Sequence, residues 1–288
     1  MKTSRFLSSV ILGLGILLTP LWGQTRESKL SDNAALRYWA AFAEMQDTAL
    51  SEEQVKNLDV ILEGTAPYDD LKYKDLIEKN KFALDIMGRG ATLPNCDWGI
   101  DYTLGDDTPV DYVRKSLILG RLNVLYVFHL MINKDQDGAV AVLAHGLRFS
   151  HDVANGGTLF STLAAENLLM SHLRAINFIQ HMSQLTPGQK ATLAKELDRL
   201  GNNGLDWNAA VTRELSLREK DWNGPVTLQA FIQSYVAVVN DASAFPKFQQ
   251  LAASLPAKLR NEIPNPKAFA EHKQALSERL SQVRTSLQ

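Results

Sequence analysis

The stretch "KDQDGAVAVLAHGLRFSHDVANGGTLFSTLAAENLLMSHLRAINFIQHMSQ", residues 134–184, decides the fold. On both sides of Asn155, Gly156 and Gly157 the apolar residues return every three or four positions, the period of a helix with one buried face. No strand-like alternation runs through it, and Asn-Gly-Gly is a turn signal. The stretch reads as two long helices folded back on each other.

The same pattern extends in both directions. Upstream, Asp32 precedes NAALRYWAAFAEM, with Leu36, Trp39, Phe42 and Ala43 as the expected buried stripe. Ser51 followed by Glu52 and Glu53 opens a second helix. A third spans about Asp70 to Met87 and is expected to end at Gly88 and Gly90. Pro109 is expected in the first turn of a long apolar helix, VDYVRKSLILGRLNVLYVFHLMI. Downstream, Thr186-Pro187 starts a helix to about Leu200. From about residue 206 the chain becomes more irregular, with short helices cut at Asn223-Gly224-Pro225, Pro246 and Pro256 and a polar amphipathic last piece from Lys267 to Leu287. The expected fold is all-α, with antiparallel helix hairpins stacked as a bundle or an irregular α-solenoid. The spacing at residues 40–43 and 139–144 suits a tetratricopeptide-like shape, although no period recurs.

The first residues, MKTSRFLSSVILGLGILLTPLWGQ, place Lys2 and Arg5 before an apolar run too short to span a bilayer, which is the layout of a signal peptide. Residues 1–23 are therefore expected to be removed on export, leaving 24–288 as a single helical domain in the periplasm or outside the cell. An uncleaved N-terminal membrane anchor is the alternative. Cleavage removes two basic residues and no acid, taking the net charge from −2 to −4. Such a surface repels nucleic acid, so the expected partner is a protein or small molecule of the cell envelope, with the membrane touched only by the signal segment. Cys96 is the only cysteine, so no disulfide forms within the chain and stability rests on packing.

The loop "LPNCDWGIDYTLGDD", residues 93–107, joins two long helices and carries Cys96, Asp97, Trp98 and Asp101. Cys96 lies beside no family-specific nucleophile signature, and burial as a small hydrophobe next to Trp98 is the expected role. Arg121 shares a helix face with Leu117, Ile118, Val124 and Leu125 and needs a carboxylate partner if that face is buried. Asp97, Asp101 and Glu166 are the candidates, either as an internal ion pair pinning the loop or as the converging groups of a polar pocket. His145 and His151 are six residues apart, and His172 and His181 nine, so neither pair suits a helical metal site. No metal or cofactor is expected, and Arg148 and Asp152 read as a solvated i, i+4 pair. Phosphate-binding loops, dinucleotide-binding turns and nucleophile elbows are missing from the sequence.

"NAALRYWAAF" (33–42), "CDWGIDY" (96–102) and "DQDGAVAVLAHGLRFSHDVANGGTLFSTLAA" (135–165) together resemble a loosely defined group of exported, mostly helical proteins of unknown function from environmental bacteria. The resemblance covers most of residues 31–180 and implies an all-α fold and export, with no activity or catalytic residue attached. The leading expectation is an exported scaffold that binds a partner in a groove between helices. The rival is a hydrolase or lyase with a carboxylate and arginine pocket at the loop.

Overall fold

Each half of the 134–184 hairpin begins at a side-chain cap. Asp135 accepts from the Gly138 backbone N–H, and Thr158 forms a capping box with Ser161. The computed structural model describes residues 32–46 and 50–288, and residues 33–288 form one compact unit. The reading of residues 1–23 as a signal peptide lies outside the described residues.

The helices are α1 (Ala34–Glu44), α2 (Glu52–Leu62), α3 (Asp70–Ala91), α4 (Asp111–Ile132), α5 (Gln136–Ala154), α6 (Leu159–Met182), α7 (Pro187–Arg199), α8 (Trp207–Ser216), α9 (Leu228–Asn240), α10 (Phe245–Ala253), α11 (Ala257–Glu262) and α12 (Pro266–Leu287). The fold is all-α. Among the described residues the nearest thing to a sheet is one isolated bridge, Asn33 with Asn95. Helices α4, α5 and α6 pack on one another at the centre, α1 and α3 cover one side, and α7 lies on α5. Helix α12 returns to α6 and α7 and also packs on α9, so the array closes on itself. By length and composition α4 is apolar enough to cross a membrane, yet Leu119, Leu122, Val124, Leu125, Val127 and Phe128 are all buried in this core.

Three local expectations are corrected. The buried stripe of α1 is Ala34, Ala35, Tyr38, Ala41 and Phe42, whereas Leu36 and Trp39 remain substantially exposed. Three of those five are alanines, so the backbone of α1 can come close to its neighbours. Helix α3 does not stop at Gly88 but runs through Gly90 to Ala91, because these glycines serve contact rather than termination. A Cβ on Gly90 would stand 2.7 Å from the Tyr38 ring, and one on Gly88 would stand 2.9 Å from His145 Nδ1. Pro109 precedes α4 by two residues, and the first turn begins at Asp111 after Val110.

Gly90 offers a direct check on this packing. Replacing it with alanine gains helix propensity of about 1 kcal/mol but drives a methyl group into a fully buried ring. The overpacking cost of about 1–3 kcal/mol outweighs that gain, and the expected net result is a loss of up to about 2 kcal/mol in urea unfolding. A stabilised G90A variant would show that Tyr38 has room to move.

Candidate functional site

The loop between α3 and α4 is a plug on the end of α5. A helix leaves its last four carbonyls without intrahelical partners, and three side chains serve those of α5. The Trp98 indole donates to the Asp152 carbonyl at 2.8 Å, the Cys96 thiol lies 3.7 Å from the same oxygen, and the Tyr112 hydroxyl donates to the Val153 carbonyl at 3.2 Å. The loop is latched to the start of α1 as well. Asn33 donates to the Asp97 carbonyl and accepts from the Asp97 N–H, both at 2.8 Å, while the Ala34 N–H donates to the Asn95 carbonyl at 2.7 Å. Trp98 is buried and stacks on Tyr112 with ring centres 4.2 Å apart, and Phe42 lies parallel to it at 6.1 Å. Burial, and next to it the Asp152 carboxylate, pushes the Cys96 thiol far above its usual range, so the neutral thiol predominates at neutral pH.

Under the plug lies a group that sequence reasoning placed on the surface. Asp152 is completely buried, so the expectation of a solvated Arg148–Asp152 face is overturned. The Tyr38 hydroxyl donates to Asp152 Oδ2 at 2.7 Å, Arg148 Nε stands 3.3 Å from Oδ1, and His151 Nδ1 stands 3.8 Å from it. The guanidinium also donates to the Pro94 carbonyl, which ties it to the start of the plug. The i, i+4 spacing was visible, but Tyr38, 114 residues away, and the loop that covers the pair were not.

Arg121 is half-buried on α4, and among the described residues it makes no hydrogen bond or ion pair with Asp97, Asp101 or Glu166. Those carboxylates are engaged elsewhere. Asp97 accepts from the Gly99 N–H, and Asp101 accepts from both the N–H and the hydroxyl of Thr103, bonds that hold the Asp101 carboxyl below its usual range. Glu166, buried on α6, pairs with His272 of α12 at 2.9 Å. Burial raises its carboxyl, and His272 partly offsets that. The carboxylate and arginine pocket that a hydrolase or lyase would need at the loop does not assemble from these groups.

A groove of about 590 Å³ lies instead where α3, α4 and α5 meet. Helix α3 and its C-cap contribute Phe82, Leu84, Asp85, Gly88, Arg89 and Thr92, α4 contributes Asn123 and Tyr126, and α5 contributes Val142 and His145. The volume falls within the range of about 300–1,000 Å³ usual for small-ligand clefts. Asn123 is fixed from behind: its amide N–H donates to the Val142 carbonyl at 3.2 Å, and its oxygen lies 3.1 Å from Nε2 of the fully buried His172. His172 is held in turn by its Nδ1, 2.7 Å from the Leu168 carbonyl and 3.0 Å from the Ser150 hydroxyl. Burial lowers the His172 imidazole to about 4. It also lowers His145 and raises the Tyr126 phenol, so the groove presents a neutral imidazole and a protonated hydroxyl at pH 7. Among the described residues neither ring is hydrogen-bonded through its side-chain polar atoms.

Sequence reasoning passed over this groove because its polar residues sit on three helices with no motif spacing. The available signals were an asparagine among Leu122, Val124 and Leu125, and two glycines within a helical period. No protein-family profile, curated protein or solved structure matches the chain. Among the described residues no group of three or more His, Cys, Asp or Glu is arranged to hold a metal ion.

Proposed function

We propose that this is an exported helical binding protein of the cell envelope that holds its ligand in the groove between α3, α4 and α5. The groove itself carries the reading: helices line it, and it combines apolar walls with the Tyr126 hydroxyl and the His145 imidazole, whose side-chain polar atoms make no hydrogen bond among the described residues. The basic and then apolar N-terminus supports export.

The test blocks the groove without touching the plug. Val142 lines the groove and is half-buried, so a Val142→Trp substitution fills space there. Immobilised protein exposed to solubilised envelope material should retain a defined small molecule or glycan, identified by mass spectrometry, with retention at least about tenfold lower for V142W. Circular dichroism melts establish that the variant is folded, and Phe82→Ala serves as a second variant at an exposed position. Equal retention by wild type and both variants would rule out the groove as the binding site.

A further inference from the structure

We infer that the groove accepts a neutral, polyhydroxylated ligand, a short oligosaccharide segment, with a sugar face laid on Phe82 and its hydroxyls bonded to Tyr126 and His145. This rests on the binding reading above and deepens it.

The argument follows from where charge is present and where it is missing. The recessed part of the groove is uncharged: Asn123 is an amide, Tyr126 a phenol and His145 an imidazole, the last two half-buried. Asp85 and Arg89 stand on the exposed side of α3, one helical turn apart, and contribute one charge of each sign. An anionic ligand gains from Arg89 what it loses to Asp85, and exposed charges are screened in any case. A zwitterion matches the two signs, but only through those screened groups, and it leaves the recessed donors and acceptors unused. A purely apolar ligand fares worse, since it takes water away from Tyr126 and His145 without replacing the hydrogen bonds, each loss costing affinity. A sugar hydroxyl both donates and accepts, which is what a phenol and a neutral imidazole can each reciprocate.

Phe82 supplies the other half of the recognition. The residue is 57% exposed and lines the groove. The face of an aromatic ring is electron-rich, and the C–H bonds on one side of a pyranose carry the complementary partial positive charge. Hydroxyl recognition on the recessed side and C–H contact at the rim are the two needs of such a ring. The site is prepared from behind, because the His172 and Val142 contacts fix the Asn123 amide and Gly88 lets His145 lie against α3.

The experiment uses labelled, folded protein on an array of neutral and acidic glycans, with Ala-Ala dipeptide and the uncharged apolar dye N-phenyl-1-naphthylamine as separate solution probes. Neutral glycans should bind, with affinity reduced about tenfold or more by Phe82→Ala and about three- to tenfold by Tyr126→Phe. Phe160→Ala, at an exposed phenylalanine outside the groove, should leave it unchanged. Sedimentation with insoluble polysaccharide separates the two sources of this chemistry: co-sedimentation indicates a segment within a chain, and binding to soluble oligosaccharides alone indicates a free one, either result supporting the inference. Binding of only the dipeptide, the dye or acidic glycans, when sensitive to Phe82→Ala, overturns the sugar assignment and leaves the groove reading standing. If no probe binds in a Phe82-dependent way, both are overturned.

Discussion

Truncating Trp98 to alanine is expected to lower the free energy of unfolding by about 3–5 kcal/mol, the range usual for deleting a buried aromatic side chain. The side chain is buried, stacks on Tyr112 and Phe42, and donates to the end of α5, so its removal opens a cavity and deletes one of the hydrogen bonds to the Asp152 carbonyl. The same change should alter the chemistry of Cys96. In the wild-type fold the thiol is held neutral beside a buried carboxylate and should react with a thiol reagent only on unfolding. With the indole gone, water reaches the loop, and labelling in native buffer should become measurable well below the denaturation midpoint. Urea melts and timed alkylation of the two proteins check both halves. A loss below about 1 kcal/mol with Cys96 still protected would mean that the loop is held by the Asn33 latch alone.

Acid should destabilise the protein through His172. Its imidazole is fully buried and titrates near 4 in the folded state, whereas an unfolded histidine titrates near about 6.5. Between those values the unfolded chain binds a proton that the native one refuses, so stability present above about pH 6.5 falls as the pH drops toward 4. The full effect is roughly 3 kcal/mol at about 1.4 kcal/mol per unit of pKa difference. The lowered His145 imidazole works in the same direction, and the raised Glu166 carboxyl works against it, gaining stability as it takes up a proton. Urea midpoints measured from pH 7.5 to 4 should fall for the wild type, with a shallower decline for His172→Gln, whatever that variant's stability at pH 7. Parallel curves for the two proteins would move the acid sensitivity elsewhere.

Many of the helices were legible in the sequence because they are written twice, in period and in cap. Ser51 with Gln54 and Thr186 with Gln189 form capping boxes where start signals stood, and α7 ends within a residue of expectation. Glycine is a weaker guide, since its lack of a side chain serves helix termination and close contact equally. At Gly88 and Gly90 the second use prevails, and nothing local announces that Tyr38 and His145 will arrive there. Of the two charged residues expected among apolar neighbours, Glu166 is buried while Arg121 is only half-buried and meets none of its expected carboxylates, and the partners that form were not foreseeable. Glu166 meets a histidine 106 residues away on a helix that reads as surface. Asp152 passes for a surface residue until Tyr38 and Trp98 close over it. In each case the missing information was long-range, and a single helix face cannot say which neighbour will cover it.

The long reach of the Tyr38–Asp152 bond places a clock on the nascent chain. Synthesis proceeds from the N-terminus, so α1 is made early, yet the carboxylate that satisfies Tyr38 comes 114 residues later. At about 5–20 residues per second, roughly 6–23 seconds pass with the face of Tyr38 and Phe42 complete and its cover not yet translated. A holding chaperone that grips short aromatic segments would find its natural substrate in that interval, and its protection would cease to be needed once the end of α5 had emerged.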